Sequence, residues 1–395
     1  IVEDHFFKYY KKTKTYLTKN SIPENIEFIN NKFTTNLPII YGTDLVEIKG
    51  DQIRLGFDIF ASAFFMLTRW EEDIIRKNNK IGCNEDELLA VKYNFYQRPI
   101  INEYCVYLRD VLNDMGINVP EVKRKTTVYI THDVDWCYLS SKRKLMKNLA
   151  IMVYRKGLIK KSINILTKYL LYKISNRNPF DSFAEIMEIT NKYGFNNHFY
   201  FKAVEKNEPG YTYAINEPKV KTILKEITEK GNHIGYHPSE NTVGNDEQFD
   251  KELLRLKDAA RTNIDGGRNH GLLYINQTYL QWNKNSLKYD SGVGFQFRNG
   301  FRSGTCYNYK LFDIQNRRTL NLKQIPMLVM DSVAIRKKMK PEKFMEEMKH
   351  IFDQVNNHNG TFCMNWHSNL FNSFEMRDYK FLYADILDYI NKEIK

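Results

Sequence analysis

Two short segments bring together the residue types that bind metal ions and move protons. They are Thr131-His132-Asp133-Val134-Asp135 and, further along the chain, His233-Ile234-Gly235-Tyr236-His237. Thr126-Thr127-Val128-Tyr129-Ile130 is β-branched and aromatic and reads as a buried strand. The two aspartates therefore sit where that strand ends, the place where α/β enzymes put chemistry. Residues two apart on a strand share a face, with Cα atoms roughly 6.6 Å apart, so Asp133 and Asp135 can enter one pocket. One can bind metal while the other handles protons. Positions i and i+4 on a straight strand lie roughly 13 Å apart, too far for a single ion with bonds near ~2.1 Å. The spacing thus predicts a bend at Gly235 and Pro238 that brings both imidazoles to one face. Two histidines and one carboxylate leave coordination positions open, as catalytic sites do. His132 is close enough to be an extra ligand. The plain alternative is an aspartate capping a helix and histidines satisfied in the core.

Three further clusters point the same way. Gly266-Gly267-Arg268-Asn269-His270 offers an arginine able to hold a carboxylate base, or else a turn with a surface arginine. Tyr289-Asp290-Ser291-Gly292 places a carboxylate after a strand, although such a sequence is also a turn signal. Thr361-Phe362-Cys363-Met364-Asn365-Trp366-His367-Ser368 is an apolar strand ending in a histidine. A carboxylate such as Asp290 beside His367 would raise its pKa and suit it to donate a proton.

In this order the motifs resemble the polysaccharide deacetylase family, the carbohydrate esterases (family-four-like) with a NodB homology domain. The resemblance spans residues 124–395. It implies that Asp133 is the catalytic base, that Asp135, His233 and His237 hold the metal, and that Arg268 orients the base. It also implies that Asp290 supports His367 as the acid. The family's paired aspartates are adjacent, whereas Val134 separates them here, which leaves an exchange of their roles open. Arg268 is followed by Asn269-His270 instead of a proline-aromatic pattern, so the shape of the acyl pocket differs. The chain thus looks like a divergent branch, and Asp58 to Glu72 resembles the helix of that branch's N-terminal extension.

The elements that position these residues follow from length and alternation. A chain of 395 residues is expected to form two packed units. Residues 1–120 mix short strands around Leu45 to Leu55 with helices near Phe57 to Ile75 and Ile101 to Met115, an α+β unit without a catalytic constellation. From Thr126 onward strands and helices alternate, with Pro218 opening one helix that ends before Gly231. This predicts an α/β unit over 121–395 built on a parallel sheet. The family resemblance makes it a distorted (β/α) barrel of about seven strands.

Charge and cysteine usage narrow the partners. The net charge of +12 is concentrated between Ser141 and Phe180, where eleven lysines and arginines stand without any acidic residue. Leu145, Leu149, Met152, Ile159, Ile163, Leu166 and Leu170 recur there at helical spacing around Gly157. A basic amphipathic helical insertion at 141–177 is the expectation. It would contact an anionic membrane or an acidic glycan, or present a solvated face. No nucleic-acid motif accompanies the charge, so nucleic acid is not an expected partner. The five cysteines are scattered, without a Cys-x-x-Cys, and predict neither a disulfide framework nor a thiolate zinc site. A reducing, cytoplasmic location is expected, peripheral to a membrane if the insertion docks there. The opening Ile1 leaves a removed leader open.

The chemistry expected is zinc- or other metal-dependent hydrolysis of an N-acyl group, N-acetyl foremost, on an amino sugar of a surface polysaccharide or its precursor. Two other classes fit the same residues. A hydrolase of a small amide or ureide would have a narrow closed pocket, and a noncatalytic glycan- or membrane-binding protein would bind no divalent ion.

Overall fold

The β-branched run that precedes Asp133 and Asp135 forms a strand inside a large sheet. The structure, a computed structural model, describes residues 1–7, 18–76, 83–138, 146, 149–150, 153–154, 159–175, 178, 180–206, 208–373 and 376–394. Four strands come first: β1 (Glu27–Ile29), β2 (Leu37–Ile39), β3 (Gly42–Lys49) and β4 (Gln52–Phe57), paired as two antiparallel hairpins. The remaining strands are β5 (Thr127–Val134), β6 (Asn197–Phe201), β7 (His233–Tyr236), β8 (Gly266–Gly267), β9 (Tyr289–Asp290), β10 (Tyr309–Asp313), β11 (Arg318–Gln324), β12 (Val329–Met330) and β13 (Thr361–Asn365). These form one nine-stranded sheet in the order β10-β11-β9-β8-β7-β6-β5-β13-β12, parallel except for β10 against β11.

The α/β class and the parallel sheet are as expected, but a closed barrel ladder is not observed. Between Gln324 and Val329 the chain passes from β9 to β13 on single hydrogen bonds. Ile325 N donates to Asp290 O at 2.9 Å, Met327 N to Val293 O at 3.0 Å and Leu328 N to Cys363 O at 3.0 Å. Irregular backbone there replaces the strand pairing that would join the two edges.

Helices cover the sheet with apolar faces. Among them, Pro218–Glu229 buries Val220, Ile223, Leu224 and Ile227, and Pro341–Asn357 buries Phe344, Met348, Ile351, Phe352 and Val355. One core gathers Ile130, Phe199, Tyr236, Leu256 and Met364. A second gathers Leu37, Phe57, Phe65, Trp70 and Tyr104 around the two hairpins. The expected helix from Phe57 to Ile75 is broken in two, Ile59–Leu67 and Trp70–Ile75, because Arg69 takes a left-handed backbone with φ of 57°. That turn brings Arg69 onto the buried carboxylate of Glu72, which Arg302 also reaches: Glu72 Oε2 lies 2.5 Å from Arg69 and 2.9 Å from Arg302.

Of the basic insertion, the helix Ile159–Ser175 is described, with Ile165 and Tyr169 buried beside Phe180 and Trp136. Lys142 to Lys144, Lys147, Arg155, Lys156 and the expected break at Gly157 lie outside the described residues. No helix of the described residues is long and apolar enough to cross a membrane. The five cysteines are all free.

Close backbone approach at the sheet's middle needs glycine. A Cβ added at Gly235 would stand 2.4 Å from Tyr200 Cδ1 and 2.8 Å from Gly266 O. Gly235→Ala should therefore destabilise the fold by roughly 1–3 kcal/mol, the usual cost of overpacking. Chemical denaturation measures this; an unchanged midpoint would mean that the Tyr200 ring yields freely.

Candidate active site

Register places the functional side chains. Val134 pairs with Phe201, Phe201 with Tyr236, Tyr236 with Gly267 and Gly267 with Asp290. The first residue beyond each of these strands is therefore, in turn, Asp135, Lys202, His237, Arg268 and Ser291. Side chains two apart share a face. Thr131, Asp133 and Asp135 accordingly line one row, and Asn365 and His367 another.

Asp133 is held from both sides. Its Oδ1 accepts from Arg268 Nη1 at 3.0 Å, and its Oδ2 accepts from Asn365 Nδ2 at 3.0 Å. Burial pushes the carboxyl pKa up, but the Arg268 guanidinium and the imidazoles of His237 and His367 outweigh it and hold the pKa below the ordinary range. Arg268 is wholly buried. It also donates through Nε to Ser291 O at 2.7 Å and through Nη2 to Ser291 Oγ at 2.8 Å and Thr131 Oγ1 at 3.0 Å. The expected pairing of Asp133 with Arg268 is present.

The residues that converge as a possible metal-holding cluster are not the three expected. One ligand atom each from Asp135, His237 and His270 lies within 4.8 Å of the others. His233 is not among them. Strand β7 stays extended, so its first residue, His233, is exposed two inward-facing steps below His237. There it stacks on His198 at 4.5 Å, and His198 stacks on Tyr129 at 5.0 Å. The bend needed to bring His233 and His237 together is absent. His270 takes the second imidazole position, its backbone N donating to Pro238 O at 3.0 Å so that the two ligand loops are tied together. His132 is not a ligand either: its ring nitrogens lie 2.7 Å from Trp366 O and 2.9 Å from Asn197 Oδ1. Burial lowers its pKa to about 4, leaving the ring neutral.

The donors suit a divalent first-row ion. His237 Nδ1 donates to Arg268 O at 2.7 Å, which turns the Nε2 lone pair toward Asp135. Nε2 is buried, 3.5 Å from Asp135 Oδ1, and neither atom has a hydrogen-bond partner. On His270 the same division holds, with Nδ1 3.3 Å from Glu240 and Nε2 3.3 Å from Asp135 Oδ1. Two imidazole nitrogens and one carboxylate oxygen are a donor set that zinc or a similar ion fits. Lys202 Nζ also lies 3.0 Å from Asp135 Oδ1, though without hydrogen-bond alignment. Burial would raise the Asp135 pKa, but Lys202 and the two histidines hold it well below the ordinary range.

His367 has a carboxylate partner, and it is Asp331 instead of Asp290. His367 Nδ1 is 2.6 Å from Asp331 Oδ1, and its backbone N donates to Oδ2 at 2.9 Å. Burial alone would lower the imidazole pKa, but Asp331, then Asp133 and Asp135, raise it to about 9. Asp290 is buried, accepts from Gly292 N at 2.9 Å and has its pKa raised by burial to about 6. It stands at the end of β9 between Tyr289 and Ser291, and alternation turns it to the face opposite Ser291. Asp331 was concealed because its proximity depends on the pairing of Met330 with Asn365. His270 and Lys202 were legible in principle, since each lies two residues beyond an inward-facing residue, Arg268 and Tyr200.

Comparison with known proteins adds the following. A model of a family of unknown function, DUF7033, matches residues 4–116. No curated protein matches the chain. Among solved structures, a protein from Mycobacterium smegmatis provisionally named a polysaccharide deacetylase is 14% identical with a TM-score of 0.45, over 69% of this chain and 86% of its own. A second, from Bordetella bronchiseptica and provisionally named a polysaccharide deacetylase involved in O-antigen biosynthesis, is 13% identical with a TM-score of 0.37, over 68% and 82%. A CE4-family pseudoenzyme from Bacillus anthracis is 10% identical with a TM-score of 0.33, over 70% and 67%. The chemistry of this chain has to be read from its own side chains.

Two outcomes test the site. His237→Ala and His270→Ala should each abolish stoichiometric zinc binding in calorimetry, whereas His233→Ala should retain it; loss in His233→Ala would restore the expected histidine pair. Separately, the His367 imidazole should titrate near 9 by NMR, and Asp331→Asn should lower that value by roughly one to three units. Because the folded pKa is raised, the pair stabilises the fold fully below about pH 6.5. That contribution is lost as pH rises through about 9.

Proposed function

We propose that this protein is a metal-dependent hydrolase that removes an N-acyl group, N-acetyl foremost, from an amino sugar. The observation that carries the reading is a carboxylate held by an arginine and a histidine held by a carboxylate beside one cluster of converging ligand-type atoms. Asp133 is tied to Arg268, His367 is tied to Asp331, and Asp135, His237 and His270 converge between them.

A divalent ion bound by Asp135, His237 and His270 would supply an activated water and polarise the acyl oxygen. Asp133, ionised at working pH, takes the proton of the attacking water. Arg268 and Asn365 fix the direction of its oxygens so that this transfer needs no reorganisation. An amine leaves poorly unless protonated, so amide cleavage needs an acid. His367 carries that proton at neutral pH because Asp331 keeps the imidazolium stable. Asp133, Arg268 and His237 are buried, whereas Asp135, His270 and His367 are partly exposed, which puts the acid and the ligand edge on the substrate's side. The resemblance of the motifs to polysaccharide deacetylases directs the proposal to N-acetylated amino sugars.

The test is release of acetate and free amine from N-acetylated amino-sugar oligomers by zinc-loaded protein. Asp133→Asn should keep metal and lose turnover. His367→Ala should slow amide cleavage by about 10²–10⁴-fold, with much less effect on an ester whose leaving group departs unaided. An equal loss on both would make His367 a binding residue. Oligomer binding without release in any metal form would make the protein a glycan binder instead.

A further inference from the structure

Each carboxylate of the site already has a cation. Asp133 has Arg268 at 3.0 Å, Asp331 has His367 at 2.6 Å and Asp135 has Lys202 at 3.0 Å. The first two pairs serve the base and the acid. The third has no role in the reaction described above, and it sits on the one carboxylate that would bind metal.

The position of Lys202 is determined by the fold. It follows β6 directly, so the pairing of Val134 with Phe201 sets it beside Asp135, and the pairing of Phe201 with Tyr236 sets it beside His237. Its backbone N donates to Tyr213 Oη at 2.8 Å, and the same hydroxyl donates to Val134 O at 3.0 Å. Tyr213 is buried, so one side chain clamps the ends of β5 and β6 together. The lysine side chain is only 7% exposed, so solvent screens its charge little. Its Nζ approaches the oxygen that also faces His237 Nε2 at 3.5 Å and His270 Nε2 at 3.3 Å.

We propose that Lys202 is a resident counter-cation of the metal site. It holds Asp135 in place when no metal is bound, and it competes with a divalent ion for the same carboxylate oxygen. This rests on the metal-binding reading given above. Two physical arguments support it. An ammonium and a divalent ion sharing one oxygen repel each other strongly in a poorly solvated pocket. In addition, Lys202 leaves Oδ1 without an aligned hydrogen bond, so exchanging it for a metal forfeits an ion pair and no directional bond. The consequence is a site that is charge-balanced, and hence stable, without metal, and that takes up metal with reduced affinity. Lys202 acts through Asp135 and is a positioning residue.

The experiment is zinc titration by calorimetry, with chelator competition, on the full chain and on Lys202→Met, Lys202→Gln and Lys202→Arg, together with thermal melts with and without zinc. Removal of the charge in Lys202→Met and Lys202→Gln should tighten zinc binding by about tenfold or more. It should also lower the melting temperature without zinc and enlarge the rise that zinc produces. Lys202→Arg, which keeps the charge, should bind zinc as the unaltered protein does. A lysine that merely fills space would give equal affinities throughout, and that result overturns the proposal while leaving the metal site standing. Weaker binding in Lys202→Met also overturns it, since the lysine would then assist the ion. Absence of zinc binding in every form, the charge-free variants included, removes the metal reading and this proposal together.

Discussion

Arg268 is the residue through which the site holds together. A fully buried guanidinium is tolerated only when its donors are satisfied and its charge is matched. Here Nε, Nη1 and Nη2 reach Ser291, Asp133 and Thr131, so one side chain joins β8 to β5 and to the end of β9. Its planar fork also lies 5.2 Å over the Tyr200 ring of β6. The backbone of the same residue does separate work: its carbonyl accepts from His237 Nδ1 and so selects the tautomer that directs Nε2 inward. The orientations of Asp133 and His237 thus have a common origin. Removing either member of the Arg268 and Asp133 pair would strand a buried charge, a cost of about 3–5 kcal/mol, so the same contact contributes to both fold and site.

The rows beneath explain why so bulky a residue fits. Tyr200 and Tyr289 project into the interior where β7 and β8 carry Gly235 and Gly266. A Cβ at Gly266 would come within 2.3 Å of Tyr289 O. Small positions on two strands make room for large rings on their neighbours, and the rings form the floor on which Arg268 rests. Below them, toward the starts of the strands, Tyr129, His198 and His233 stack. Burial holds the His198 pKa down at about 3, so it is neutral and acts as a flat apolar surface. A histidine on an inward row is therefore not evidence of a ligand; its height along the strand decides.

That distinction marks how far the sequence could be read. Alternation on one strand was enough to put Asp133 and Asp135 on a common face, and the apolar run before His367 was enough to place it at a strand end. The pairing of Asp133 with Arg268 was expected from the order of the motifs, through the family resemblance, and not from alternation. His233 was not, because the i, i+4 spacing has opposite meanings in a strand and in a turn, and only the ladder between β6 and β7 shows that the strand remains straight. Asp331 depends on the two-residue strand β12 lying against β13, a contact between segments that no local pattern signals. Asp290 had the right type and the right strand end but stands between the inward-facing Tyr289 and Ser291, and so takes the opposite face of the sheet. The parallel α/β architecture followed from alternation, whereas the irregular passage from Gln324 to Val329 did not, since it makes single hydrogen bonds to two different neighbours.

The N-terminal segment reaches the site by the same kind of buried charge. Glu85 accepts from the backbone N of Gln296 at 2.5 Å and of Phe297 at 3.2 Å, in the loop that follows Ser291. Glu72 binds Arg302 through Nε at 3.0 Å and Nη2 at 2.9 Å, and Arg302 Nη1 donates to Gly294 O at 2.7 Å. Burial would raise the Glu72 pKa, but Arg302, Arg69 and Arg76 together hold it far below the ordinary range, so it stays ionised. The loop pinned in this way carries Gln296, whose side chain donates to Gly271 O beside His270. A segment without catalytic residues of its own therefore fixes, at one remove, both the hydroxyl that steadies Arg268 and the turn that presents His270. Loops at strand ends are ordinarily the mobile part of such a site. Anchoring this one on two buried glutamates reduces that freedom where Asp135, His237 and His270 converge.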